Sequence, residues 1–157
     1  MPEGGWLLST EKLDTIEALN QVQAGCFLGA YQEHVEAEGW FFPPDPTSRP
    51  ECSIGAAIAC NASGARSFRY GPTRPWIEWV EMVLPTGEIL EADRDTPIPK
   101  DWPVPRWTEP EVKTAAGFFP ADNLLDLFIG QEGSLGVITR VRTRLIRPPE
   151  DVMSLVA

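Results

Sequence analysis

The sequence has no apolar run approaching the roughly 18 consecutive residues that a membrane-spanning helix needs, so no segment is expected to cross a bilayer as a helix. Cysteine and histidine are scarce. Cys26, Cys52 and Cys60 are odd in number and form no C-x-x-C pair, and His34 stands alone, which argues against a zinc site. Reduced, buried thiols are the expectation for the cysteines, and a surface position on a helix for His34. Positive charge is also short: 13 Lys and Arg stand against 23 Asp and Glu, a net charge of -10. Such a surface repels phosphate backbones at long range, so nucleic acid is not an expected partner. A dinucleotide is not excluded, because backbone N–H groups can hold a pyrophosphate without a basic surface. Neither the G-x-G-x-x-G fingerprint nor the G-x-x-x-x-G-K-[ST] loop occurs. Met1 to Gly5 is acidic where a signal peptide would be basic, so a soluble, cytoplasmic protein is expected.

What is present suits one globular domain: 157 residues, 43% of them hydrophobic. The stretch from Thr10 to Gln23 reads two ways. Leu13, Ile16 and Leu19 are near helical spacing behind a possible Thr10 cap, yet Thr15-Ile16-Glu17 and Gln21-Val22-Gln23 also alternate around a turn at Asn20. Leu28, Tyr31 and Val35 share one face of a helix from about Phe27 to Glu38, with Gly39 placed to cap it. Pro43, Pro44 and Pro46 then forbid a helix and force an extended, rigid turn. Trp76 to Leu84 and Glu88 to Ala92 alternate about Pro85-Thr86-Gly87 as a β-hairpin. Five prolines, Pro97, Pro99, Pro103, Pro105 and Pro110, predict a surface loop after Asp93. Asp122 is placed to cap a short helix carrying Leu124, Leu125, Leu127 and Phe128, which Gly130 would stop. A last strand runs from about Val137 to Ile146, with Arg140, Arg142 and Arg144 at period two on a solvated face.

Three segments combine glycine or proline with hydroxyl or amide side chains in a way that core packing does not require. They are Pro44-Asp45-Pro46-Thr47-Ser48, the small-residue run Ser53 to Gly64, and Gly130-Gln131-Glu132-Gly133-Ser134-Leu135-Gly136-Val137-Ile138. A phosphate-bearing ligand accounts for all three, since glycine admits close backbone approach and Ser and Asn complete a cradle. In this order and spacing they resemble the FAD-linked oxidases with a vanillyl-alcohol-oxidase (PCMH) type of flavin domain, the branch of glycolate oxidase, D-lactate dehydrogenase and 2-hydroxyglutarate dehydrogenase. There the pattern reads P-P-D-P-[ST]-S, [ST]-I-G-G, N-[AS]-[SG]-G and Y-G. Lys113 to Phe118 is similar to the family's K-N-[NA]-[TA]-G-Y, and Gly130 to Thr139 to its G-S-E-G-[TS]-L-G-V-[IV]-T. The similarity runs from about Leu7 to Pro148.

The resemblance implies an α+β fold, a mostly antiparallel sheet flanked by helices, corresponding to the second subdomain of a two-part FAD domain. It replaces the Thr10 helix with two short strands before the Phe27 helix. It implies a partial FAD-binding domain over residues 1–148, with the Pro-rich loop at about 93–112, and the start of a connection to a substrate-cap domain over 149–157. The partners it implies are FAD, the first FAD subdomain and that cap, in cis or in trans. Its FAD contacts would be Pro44, Asp45, Ser48, Ser53, Ile54, Gly55, Asn61, Gly64, Glu132, Gly133, Ser134, Leu135, Gly136, Val137 and Ile138. Ala56 departs from the G-G pair, Gln131 from a serine and Pro75 from an aspartate. The activity implied is oxidation of a 2-hydroxy acid by hydride transfer to flavin. No residue of this chain is assigned the catalytic base, and no metal site is expected.

Overall fold

The computed structural model describes residues 4–5, 7–108, 110 and 119–151. Among them five strands form one antiparallel sheet in the order β1-β2-β5-β3-β4, with β1 at Ile16–Ala18, β2 at Gln21–Gln23, β3 at Ile77–Val83, β4 at Ile89–Asp93 and β5 at Val137–Thr143. This is the expected α+β, mostly antiparallel architecture. Register explains how it buries one face. Val22 lies opposite Val141, Val141 opposite Val80 and Val80 opposite Ala92, and all four are buried. One residue along, Gln23, Arg140, Glu81 and Glu91 make the corresponding row on the other face.

Helix α1, Leu28–Ala37, lays Leu28, Tyr31 and Val35 into the core, and Gly39 leaves it with a positive φ of 76°. Gln32 lies on the same buried face, where its amide donates to the carbonyls of Phe42 at 2.9 Å and Pro44 at 2.6 Å. The apolar pattern alone missed it. Short helices α2, Ile54–Ala59, α3, Ser67–Tyr70, and α4, Leu124–Phe128, complete the layer. α3 and the 3-10 turn at Arg74–Trp76 carry no apolar period and were not foreseen.

The expected hairpin forms about Gly87, whose φ is +86°. Thr10 starts a turn in place of a helix: Leu13 N–H donates to its carbonyl, and Gly25 packs on that carbonyl so closely that a Cβ would lie 1.9 Å away. The cap of α4 is Asn123, not Asp122, because the Asn123 side chain accepts from Asp126 N–H while Asp122 is exposed. The cysteines are free as expected, yet only Cys26 is buried; Cys60 ends α2 and is exposed. Arg140 and Arg142 are paired rather than merely solvated. Arg140 meets Glu17 at 2.9 Å and Glu81 at 3.2 Å, and Arg142 sits 4.0 Å from Glu78. His34 is exposed in the last turn of α1. Phe41, Phe42 and Trp76 are core residues, and Trp40 lies under the Arg147 guanidinium.

Candidate cofactor site

The three glycine- and hydroxyl-rich segments converge on α2. At its N-terminal end, Ile54 N–H donates to Cys26 and Gly55 N–H to Ala24, while Ala24 N–H donates to Thr139 of β5. At its C-terminal end, Gly130 N–H donates to Ile58 at 3.0 Å and Glu132 N–H to Ala59 at 2.9 Å. Beyond it, Ala65 N–H donates to Asp45, which brings the proline turn against the Asn61–Gly64 segment. Residues from Asp45 to Glu132 are thus linked through α2 and the segment that follows it.

The glycines divide by what lies against them. A Cβ on Gly64 would sit 1.5 Å from the Asp45 carbonyl oxygen, and one on Gly55 2.9 Å from that of Ala24. Here the closely approaching backbone is the chain's own. Gly136 is likewise filled by Val83, 2.9 Å away, whereas Gly133 has φ +79° and nothing within 4 Å. Gly133 is the glycine of this set open to a ligand.

The N-terminal donors of α2 are similarly used. Ile54 and Gly55 donate to Cys26 and Ala24, Ala56 N–H to Ser53 Oγ and Ala57 N–H to Ser53 O. The Ser53 hydroxyl accepts in that bond, so its own proton remains to be donated outward. Asn61 Oδ1 accepts from Arg74 N–H at 2.9 Å, which leaves its two Nδ2 protons. Asn61, with φ 44°, and Glu132, with φ 53°, are the non-glycine residues with positive φ among the described residues. Both flank the C-terminal end of α2. Holding a glutamate there costs on the order of 1–2 kcal/mol, and such strain concentrates at ligand sites.

Gln131 supplies the loop's internal scaffold. Buried to 2% exposure, it donates through Nε2 to Gly136 O at 2.9 Å and accepts at Oε1 from Leu135 N–H at 2.8 Å. The amide is long enough to close this loop, which gives its departure from serine a physical use. Glu132, Gly133 and Ser134 are left exposed at the tip, as is Ala56 on α2, so the Ala56 methyl faces outward rather than into packing. Of the remaining candidates, Ser48 is exposed and Asp45 half-buried, paired with Arg66 at 3.5 Å and Arg49 at 3.9 Å. Pro44, Ile54 and Ile138 are buried, and Leu135 and Val137 are half-buried. Lys113 falls outside the described residues. A cavity of about 520 Å³ under the Pro-rich loop, walled by Trp102, Arg106 and Asp122 among others, shares no residue with the three segments.

A family model described as an FAD binding domain matches residues 1–93. The chain belongs to the FAD binding domain family. FAD is therefore its cofactor, and the outward Ser53 hydroxyl, the Asn61 amide and the open Glu132–Ser134 tip fit a pyrophosphate-bearing ligand; the N–H groups at the start of α2 do not. Three curated relatives align with nearly the whole chain. The chain is 31% identical to a D-lactate dehydrogenase of Anaerostipes hadrus, aligning 98% of itself with 29% of the relative. It is 33% identical to a D-2-hydroxyglutarate dehydrogenase of Xanthomonas citri pv. viticola, over 93% of itself and 28% of the relative. Identity to the glycolate oxidase subunit GlcD of Bacillus subtilis is 30%, over 99% and 30%. The chain thus spans under a third of the length of these relatives. A solved structure of alkyldihydroxyacetonephosphate synthase superposes with a TM-score of 0.67 at 20% identity, covering 90% of this chain and 23% of that one, a likeness of fold. In the family's domain, no helix among the described residues is long and apolar enough to cross a membrane.

Proposed function

We propose that this chain is the FAD-holding portion of a flavin-dependent oxidoreductase that oxidises a 2-hydroxy acid such as glycolate, D-lactate or 2-hydroxyglutarate. The observation that carries the reading is the meeting of all three motif segments at α2, together with relatives whose names share that chemistry. FAD supplies the hydride acceptor for the α-carbon of the acid. The chain's own work is to bind and orient. Ser53 and Asn61 donate to cofactor oxygens, Glu132 to Ser134 form the open lip, and Leu135, Val137 and Ile138 line its base. Pro44, Asp45, Ser48, Ile54, Gly55, Gly64 and Gly136 complete the proposed set, with Gly55, Gly64 and Gly136 acting through the close packing that shapes the cradle.

Residues 1–148 form the cofactor portion in this reading, and 149–157 lead toward a substrate-cap domain. That domain and a first FAD subdomain are supplied in cis or in trans. Specificity resides in the site that these parts complete, not in the fold. The test is anaerobic mixing of FAD-loaded protein with each hydroxy acid. The chain alone is expected to take up FAD without being reduced by the acids. The chain joined to the remaining portion is expected to lose its visible flavin absorption with at least one of them. Reduction by none, in protein that holds FAD fully, would reject the hydroxy-acid assignment.

A further inference from the structure

We propose that Arg74 is a positioning residue for the cofactor site, a clasp that holds the Asn61 segment and the Gly130–Glu132 loop in register; this rests on the cofactor reading above. Its backbone N–H donates to Asn61 Oδ1, and its neighbour Thr73 donates to Ala62 O through both N–H, at 3.0 Å, and Oγ1, at 2.9 Å. Together they fix Asn61 in its left-handed conformation. The Arg74 side chain reaches the other way. Nη2 donates to the carbonyl of Ile129, the residue just before the loop, and Nη1 donates to the backbone carbonyl and Oδ1 of Asp126 in α4. The guanidinium also stacks 3.8 Å from the Phe119 ring centroid.

This geometry is over-determined in a way that a surface arginine is not. Side-chain exposure is 11% for Arg74 and 14% for Asp126. Asp126 is itself held by Arg94 at 2.6 Å, and Arg94 donates to the carbonyls of Arg74 and Ile77. The planar fork of arginine is what allows one side chain to grip a carboxylate and two carbonyls at once; a lysine ammonium has the charge without that geometry. The two segments that Arg74 joins are those that carry the strained residues Asn61 and Glu132; replacing the side chain releases the Ile129 side of the clasp, while the backbone bond to Asn61 remains.

The experiment compares hydrogen exchange in the full chain for wild type, Arg74→Met and Arg74→Lys, beside FAD titrations of each. The probes are the Gly130 and Glu132 amides, with Val80 and Val141 in the sheet as references. Loss of charge-assisted bonds at one place is expected to speed exchange at Gly130 and Glu132 about tenfold or more, with the references within about twofold, and to weaken FAD binding by about tenfold. Arg74→Lys is expected to recover part of the affinity and not the loop protection. Exchange that rises equally at loop and sheet, or at neither, would overturn the assignment, the first marking a merely structural residue. A wild-type chain that takes up no FAD would instead overturn the cofactor reading, which the exchange pattern does not depend on.

Discussion

Replacing Gly64 by alanine is expected to damage the fold before it touches a cofactor. The added Cβ would lie 1.5 Å from the oxygen and 2.2 Å from the carbon of the Asp45 carbonyl, and 2.7 Å from Pro46 N, where separations under 3.0 Å force a shift. The obstacle is backbone, so no rotamer change relieves it. Nor can the turn yield easily: Pro44 and Pro46 fix φ on either side of Asp45, and the Pro44 carbonyl is held by Gln32 at 2.6 Å. Opening the contact also strains the Ala65 N–H to Asp45 bond. Overpacking costs about 1–3 kcal/mol and a lost hydrogen bond about 1 kcal/mol, offset by roughly 0.4–1 kcal/mol from a stiffer unfolded chain. The net is about 2 kcal/mol, a fall in Tm of roughly 4–8 °C for a chain of this size. Urea unfolding followed by circular dichroism measures it. Gly87→Ala, at φ +86° in open space, serves as the control and should lose only about 1–2 kcal/mol through conformation. A Gly64→Ala chain within about 0.5 kcal/mol of wild type would refute the packing argument and return Gly64 to the role of an open ligand contact.

Further outcomes follow from single sites. Glu132→Gly removes the left-handed strain at φ 53° and should stabilise the free chain by about 1 kcal/mol while weakening FAD binding, a trade seen by pairing melts with titrations. Gln32→Leu strips the donor from two buried carbonyls, Phe42 and Pro44, and should cost about 2–3 kcal/mol in urea unfolding. Burial, only partly countered by the Thr143 hydroxyl, pushes the Tyr31 phenol up to about 12. Its folded value lies above its unfolded one, so its contribution is whole below about pH 10 and is lost as pH rises toward 12, up to about 2.7 kcal/mol. Tyr31→Phe should flatten that alkaline loss in melts taken across the range.

The parts of this fold that could be read from sequence are those that local chemistry decides. Leu28, Tyr31 and Val35 with Gly39 marked α1, and Pro85-Thr86-Gly87 marked the β3–β4 hairpin. The three glycine- and hydroxyl-rich segments could be singled out too, and the fold links them by backbone hydrogen bonds. What each glycine accommodates was not. Gly55 and Gly64 meet Ala24 and Asp45, contacts set by tertiary packing that no local pattern encodes. Gln32 hid among apolar residues on a helix face, although a polar residue four after Leu28 and three before Val35 was a signal that it must satisfy buried partners. The Arg74–Asp126 pair spans 52 positions and left no trace in periodicity. Asn123 prevailed over Asp122 as the cap of α4 by one residue, which propensity does not separate.

Cofactor binding is tested most directly at Ala56, which is exposed on α2, donates its N–H to the Ser53 hydroxyl and can be enlarged without disturbing the core. Flavin fluorescence is followed as FAD is titrated into the wild-type chain and into Ala56→Trp, with circular dichroism confirming that both are equally folded. Saturable binding by the wild type is expected, which the tryptophan abolishes or weakens by at least about tenfold, a difference of about 1.4 kcal/mol. Binding that Ala56→Trp leaves unchanged, or a folded wild-type chain with no saturable binding, would contradict it.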